Sequence, residues 1–397
     1  MTHRTAAHQA GSLIAKFCLR GGRGRGRMAA MAAKRYLAPW RRAAAAARAL
    51  EGGGGRPPDP EALAALEGKP ALYHCVSRVV WRELVLGEAE KEQFVRSLRK
   101  WEAFSRVRVL AFCVMTNHFH LLVEVPERPA EEPPDGELLE HLGLIYGGRR
   151  LAQIRWELEQ HRGQGNHAAA EALRRRFLRR MWDLSAFMKD LKQELSHWFN
   201  KRHGKRGHLW EERFRSVLVE DGHAARMVSA YIDLNPVRAG MVGRPEQYRW
   251  SGYGEAAAGG GRALEGIAQV MLERELARSG VGAAVAEVSD RRRCLAGYRA
   301  ILGEALGRPE RAPEGEAGGR ADGGGGKGRR MREAELLGRR LRYFTDGLVV
   351  GSRAFVDGVF GLSAGCFGAR RSSGARRFAG AETSLRAMRA LRVRPYG

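Results

Sequence analysis

One stretch constrains this chain more than any other: Val-Leu-Ala-Phe-Cys-Val-Met-Thr-Asn-His-Phe-His-Leu-Leu-Val-Glu-Val, residues 109 to 125. Apolar residues dominate both sides of a short Met115-Thr116-Asn117 break. That pattern predicts two buried strands, about 107–114 and 118–125, joined by a tight connection. Successive side chains on a strand point to opposite faces, so His118 and His120 project together while Phe119 faces away. Two imidazoles side by side on a rigid sheet are half of a metal site that still needs an oxygen ligand. On spacing alone the plainer reading is an ordinary pair of sheet-surface histidines. A candidate partner for the pair occurs later, where Tyr231 and Asn235 stand in Tyr-Ile-Asp-Leu-Asn-Pro-Val-Arg-Ala-Gly.

The surrounding periodicities predict the rest of a domain. Residues 72–80 form a first strand, and 88–104 have helical spacing with Phe94, Leu98 and Trp101 on one side. An amphipathic helix follows over 182–202, a short strand over 216–220, and a helix over 224–238 ending near Asn235-Pro236. Strand, helix, two strands, helix, strand is the order of a ferredoxin-like antiparallel sheet with packed helices, an α+β fold. A further helix then carries Tyr231. Residues 1–70 are expected to be a disordered basic tail, with order running from 71 to 255. That span holds an insertion at about 128–180, whose charged part reads as a solvated helical hairpin. Residues 262–397 are expected to be a helical basic accessory region with a disordered linker at about 307–330. Within it, Gly-Ser before Arg-Ala-Phe-Val suits a helix N-cap, and 342–356 is plausible as a helix-turn-helix-like module.

The formal charge of +25 over 397 residues calls for a polyanionic partner, DNA or RNA first of all, although a GC-rich genome also inflates arginine. Five cysteines lie without Cys-x-x-Cys spacing, which suits a reducing cytosol and argues against a zinc ribbon. No stretch approaches the roughly 18 apolar residues that span a bilayer, so no membrane partner is expected. The first fifty residues contain no acid, as in a transit peptide, yet Gly-Gly-Arg-Gly-Arg-Gly-Arg favours a basic tail, and Met28 or Met31 are alternative starts.

Basic residues concentrate in Asn-Lys-Arg-His-Gly-Lys-Arg-Gly-His-Leu-Trp, residues 200 to 210. Lys201, Arg202, Lys205 and Arg206 around two glycines, ending in Trp210, suit single-stranded or hairpin DNA, whose unpaired bases expose stackable faces. Arg213, Arg215 and Arg238 extend the patch, and Arg78 ends the first strand beside it. The alternative is a solvated, charged turn.

Three separated motifs carry a resemblance: Asn-His-Phe-His-Leu-Leu-Val, Gly-His-Leu-Trp-Glu-Glu-Arg-Phe-Arg-Ser-Val-Leu-Val-Glu and Tyr-Ile-Asp-Leu-Asn-Pro-Val-Arg-Ala-Gly-Met-Val. In that order they resemble the single-tyrosine HUH transposases, and more closely the IS200-like, REP-associated tyrosine transposase family, over about residues 70 to 255. The resemblance implies Tyr231 as nucleophile, with His118, His120 and Asn235 holding Mg²⁺ or Mn²⁺. It also implies hairpin-containing single-stranded DNA as substrate, a monomer or homodimer, and a cytoplasmic, nucleoid-associated setting. Thr116 stands where the family commonly has proline, a turn change that removes no catalytic residue. Chemically the set is coherent: a tyrosine that attacks a phosphodiester stores its energy as phosphotyrosine, and a divalent cation offsets the weakness of a phenol at neutral pH. Left to themselves, Asn235 could instead cap its helix and Tyr231 could be a core aromatic. Asp233 and Glu220 are nearby acids able to give supporting hydrogen bonds. Two other readings stay open, a domesticated, non-catalytic repeat-binding protein and a metal-dependent hydrolase with a water nucleophile.

Overall fold

The computed structural model describes residues 38, 66, 68–272, 288–307, 330–363 and 371–388. The N-terminal tail and the 307–330 linker expected from the sequence fall almost wholly outside these residues.

The strand β1 (Ala71–Arg78) lies at the centre of the core sheet because nearly every one of its side chains is buried. It pairs antiparallel with β3 (His118–Val125) on one side and β4 (Arg215–Val219) on the other. The strand β2 (Arg108–Val114) closes the far side against β3, so the core reads β2–β3–β1–β4. This is the ferredoxin-like order read from the periodicities, and the two strands flanking the Met115–Asn117 break, β2 and β3, lie within a residue of their expected limits. A fully buried strand pair needs continuous apolar runs rather than alternation, which is what residues 109–125 supply.

Two helices cover one face of the sheet: α1 (Glu88–Ser105), and, after the insertion, α5 (Leu184–His203). Asp183 caps α5 by accepting from the Ala186 N–H at 2.6 Å, and Gly204, at φ 60°, ends it in the left-handed conformation that glycine tolerates. Phe94, Leu98, Phe187, Leu191 and Leu195 meet Cys75, Phe119 and Leu121 there, each large side chain contributing roughly 1.5–3 kcal/mol by burial. Glu194 of α5 accepts from Ser97 Oγ and Trp101 Nε1 of α1, tying the two helices together.

The insertion consists of α2 (Asp135–Gly143), α3 (Gly148–Gly163) and α4 (His167–Leu178), three helices rather than a hairpin. It is also less solvated than its charge suggests. The i,i+4 pairs Leu138/Leu142 and Ile154/Leu158, together with Phe177, are buried in the main core, and Asp135 is paired with Arg162 and Arg174.

The opposite face carries α6 (His223–Asp233), α7 (Asn235–Arg238), α8 (Gly252–Ala257), α9 (Gly261–Met271) and α10 (Val288–Ala305). Here the C-terminal segment departs from the expected helical module. It does hold α11 (Glu333–Leu337), α12 (Arg342–Asp346) and α13 (Arg353–Gly361). Between and after them, however, β5 (Val349–Gly351), β6 (Arg376–Arg377) and β7 (Arg386–Met388) continue the sheet as β4–β5–β7–β6. The stretch 342–356 is therefore helix, strand, helix. Gly347 makes the first break, where a Cβ would meet the Tyr343 carbonyl oxygen at 2.5 Å. Leu348, Val349 and Val350 then have an open strand edge to join, and β5 runs parallel to β4. No helix among the described residues is long and apolar enough to cross a membrane.

Candidate active site

Sheet register brings the first site residues together. On β1 and β3, Arg78 is opposite His118 and Val76 is opposite His120, so both histidines and Arg78 share the face that α6 covers. The ring centroids of His118 and His120 are 5.1 Å apart. Tyr231, in the last turns of α6, stands edge-on to His120 with centroids 6.2 Å apart, and is only 2 % exposed. Asn235 opens α7 one turn later. A cavity of about 880 Å³ is lined by His118, His120, Tyr231, Asn235, Arg78 and Arg238, and also by Arg82, Asn117, Arg339 and Arg340.

Each ring nitrogen can be assigned from its partner. Asn117 donates through Nδ2 to the Arg82 carbonyl at 2.9 Å, which turns its Oδ1 toward His118 Nδ1 at 2.7 Å. An amide oxygen only accepts, so the His118 proton is on Nδ1 and Nε2 keeps its lone pair. Burial, with Arg78 and Arg340 nearby, pulls the His118 pKa down to about 3. Burial first, and then the neighbouring His118, His74, Arg238 and Arg78, hold His120 well below its ordinary value. Both rings are thus neutral near pH 7, the form that ligates a metal. Asn235 Nδ2 donates to the carbonyls of Tyr231 (3.3 Å) and Ile232 (3.2 Å). The cap and ligand readings are therefore compatible: the amide nitrogen satisfies the helix end, and Oδ1 accepts no hydrogen bond among the described residues. No group of three His, Cys, Asp or Glu side chains among those residues is arranged to hold a metal. Two imidazole lone pairs and an amide oxygen around one cavity nevertheless make a donor set that fits a divalent cation with open positions.

Tyr231 is held by Arg238. The guanidinium lies over its ring, 4.2 Å from the centroid, and donates to the carbonyls of Tyr231 at 2.6 Å and Leu337 at 2.8 Å. Burial raises the Tyr231 pKa, while Arg238, Arg340 and Arg78 oppose that rise. For Arg78 burial lowers the pKa, and Arg340, Arg82 and Arg215 lower it further. Cations crowded in this way are relieved by an anion.

The other predicted DNA-contact residues lie away from the cavity. Lys201 and Arg202 are in the last turn of α5, and Lys205, Arg206 and Arg213 are exposed on the loop beyond it. Arg202 lies near Glu90 and over the Trp198 ring. Arg215 opens β4, paired with Glu212 and Asp346. Trp210 is half-buried, its indole N–H donated to the Lys192 carbonyl and its ring edge-on to Phe119, so it packs as a core aromatic. This loop is stitched to the cavity wall, since Glu211 N donates to Arg78 O and Val80 N to Leu209 O.

Other residues at the site escaped the sequence reading. Trp81, 84 % exposed at φ 57°, stands between the cavity-lining Arg78 and Arg82. Arg339, Arg340 and Thr345 reach the cavity from the C-terminal segment. His74 of β1 contacts His120 directly, with 2.9 Å between His74 Nε2 and His120 Nδ1. A histidine two residues before a strand-centre valine gives no local sign of this; only the register does. Glu220 and Asp233 prove to serve the scaffold. Glu220 accepts from the Ser352 N–H and Oγ. Buried Asp233 accepts from Tyr253 N and Tyr298 OH.

Residues 69–130 match the family described as transposase, IS200 like. This is the resemblance read from the motifs. The matched span contains β1, the histidine pair and Asn117, and ends before the helix of Tyr231. The comparison with curated proteins gives no match. Among solved structures, the chain is similar to a REP-associated tyrosine transposase bound to a REP hairpin. That likeness has a TM-score of 0.31 and 14 % identity, and covers 48 % of this chain and 79 % of that one.

Proposed function

We propose that the protein is a metal-dependent tyrosine transposase that cleaves and rejoins hairpin-containing single-stranded DNA. The observation that carries this reading is the convergence of Tyr231, His118, His120 and Asn235, from three separate elements, on one arginine-lined cavity. A repeat-binding protein without chemistry has no need of that set.

In the proposed reaction the scissile phosphate lies among Arg78, Arg82, Arg339 and Arg340, whose charges offset its own. Asn235 Oδ1 and the Nε2 atoms of His118 and His120 would hold Mg²⁺ or Mn²⁺. When bound, that ion supplies Lewis-acid polarisation of a phosphoryl oxygen. Tyr231 Oη loses its proton and attacks phosphorus. The Oη–P bond forms as the P–O3′ bond breaks, and the departing 3′ oxygen takes up a proton. Arg238 on the ring favours the phenolate. Reversal, with a 3′-hydroxyl as attacker, rejoins the strand and frees Tyr231. Lys201, Arg202, Lys205, Arg206, Arg213 and Arg215 guide the flanking strand, and exposed Trp81 offers a face to an unpaired base.

The test is a denaturing-gel assay with 3′-labelled single-stranded hairpin oligonucleotides, in Mn²⁺ or EDTA. The expected result is a shifted protein–DNA band that needs metal and is absent in Tyr231→Phe. Cleavage that survives in Tyr231→Phe would indicate a water nucleophile. Tight hairpin binding across a broad repeat library with no cleavage would leave a non-catalytic binder.

A further inference from the structure

We infer that His74 is a positioning residue for the candidate metal site: a hydrogen-bonded chain from the Phe344 carbonyl through His74 to His120 sets which nitrogen of His120 faces the cavity. The inference rests on the divalent-metal reading proposed above, and it adds a residue outside the tyrosine–histidine–asparagine set.

The protons can be followed one bond at a time. His74 is fully buried and both of its ring nitrogens are engaged. Its Nδ1 lies 2.7 Å from the Phe344 carbonyl oxygen and its Nε2 lies 2.9 Å from His120 Nδ1. A carbonyl oxygen only accepts, so the proton of a neutral His74 must be on Nδ1. His74 Nε2 is then an acceptor, and His120 must donate through Nδ1–H. The remaining lone pair of His120 is on Nε2, the atom needed for ligation. With its proton on Nε2, the lone pair of His120 would be on Nδ1, which faces His74 Nε2 and not a metal.

Ring orientation is fixed by the same contact. The His74 and His120 rings stack with centroids 5.1 Å apart and planes 23° from parallel. In the register His74 is opposite Leu122, so it meets His120 along the diagonal of the strand pair. His118 has an equivalent support in Asn117, which is anchored on the Arg82 carbonyl. The two supports differ in origin. Asn117 and Arg82 lie within residues 69–130, whereas Phe344 belongs to α12, which the pairing of β5 with β4 holds in place. The C-terminal segment thereby reaches the candidate metal site through a backbone carbonyl.

The experiment uses the full chain, with Mn²⁺ alone titrated calorimetrically and the histidine ring nitrogens of the metal-free protein observed by ¹⁵N NMR. The variants are His74→Leu, His74→Gln and, as a control, His120→Ala. Loss of such a supporting hydrogen bond typically costs 10–100-fold in metal affinity. The expected result is that His74→Leu weakens Mn²⁺ binding by about that factor with an unchanged circular dichroism spectrum. His74→Gln, which keeps an acceptor for His120 and a donor for Phe344, restores most of it. In the wild type, His120 should show protonated Nδ1 and bare Nε2, and that preference should disappear in His74→Leu. Wild-type affinity in His74→Leu, alongside loss in His120→Ala, would overturn the inference, as would a wild-type His120 protonated on Nε2. Should the wild type bind no Mn²⁺ that His120→Ala removes, the metal reading itself fails, and the ring spectra still decide whether His74 sets the tautomer. If His74→Leu does not fold, the wild-type spectrum and His74→Gln decide it.

Discussion

Tyr231 and Arg238 form a unit in which each limits the other's freedom. The guanidinium covers the phenol ring and closes two helix-end carbonyls, those of Tyr231 and Leu337. Lysine cannot reproduce both the stack and the forked donation. Arg238→Lys should therefore cost about 1–3 kcal/mol of stability, read from denaturant midpoints, because at least one charge-assisted hydrogen bond to a helix-end carbonyl is lost together with the stack. It should also slow adduct formation by Tyr231. Trp81 is a contrasting case. It is 84 % exposed in a left-handed conformation unusual for a bulky residue, so its removal leaves no cavity. Trp81→Ala should shift the melting temperature little while weakening single-stranded DNA binding by about 1–3 kcal/mol, the usual contribution of one stacked base. Fluorescence anisotropy with a labelled oligonucleotide checks this. The sequence points to Trp210 for stacking, because its place at the end of the basic run is visible there. Its burial against Phe119 is a tertiary fact.

At the level of elements, strands and helices of the core were legible because their periodicities are long and consistent. The apolar run 109–125 leaves β2 and β3 little alternative, and Phe94, Leu98 and Trp101 mark α1. What could not be read was the attachment of β5. Three apolar residues after a short helix are too few to identify a strand until an open edge is present to receive them. That attachment is locked where Glu220, just past β4, accepts from Ser352, the residue whose Oγ in turn accepts from the Phe355 N–H to cap α13. Ser352→Ala should lower stability by about 1 kcal/mol through loss of the cap. It should also speed hydrogen exchange across β5 and α13 selectively, while β1 and β3 keep their protection.

Across the whole molecule, the sheet is packed on both faces, one by α1, α5 and α13 and the other by α6, α9, α10, α11 and α12. Full enclosure has an electrostatic cost that shows at Asp233. Burial raises its pKa to about 7, against the pull of bonds from Tyr298 and Tyr253. The folded state thus holds this proton more tightly than the unfolded chain. The resulting stabilisation is complete below about pH 4 and is lost as pH rises through about 7. Asp233→Asn removes the titration, so the stability difference between variant and wild type should move in favour of the variant from pH 4 to 8, by roughly 4 kcal/mol at most. Thermal melts of both proteins across that range measure it.

The sequence by itself determined the strand–helix order of the core, the face shared by His118 and His120, and the spacing that sets Tyr231 and Asn235 one helical turn apart. All are local consequences of backbone periodicity. Only the tertiary structure decided that α6 lies over the histidine face, that Arg339 and Arg340 join the cavity, and that His74 bonds His120. Those contacts join residues 46 to about 270 positions apart, and no local pattern encodes a hydrogen bond that strand register and sheet-edge pairing must first create.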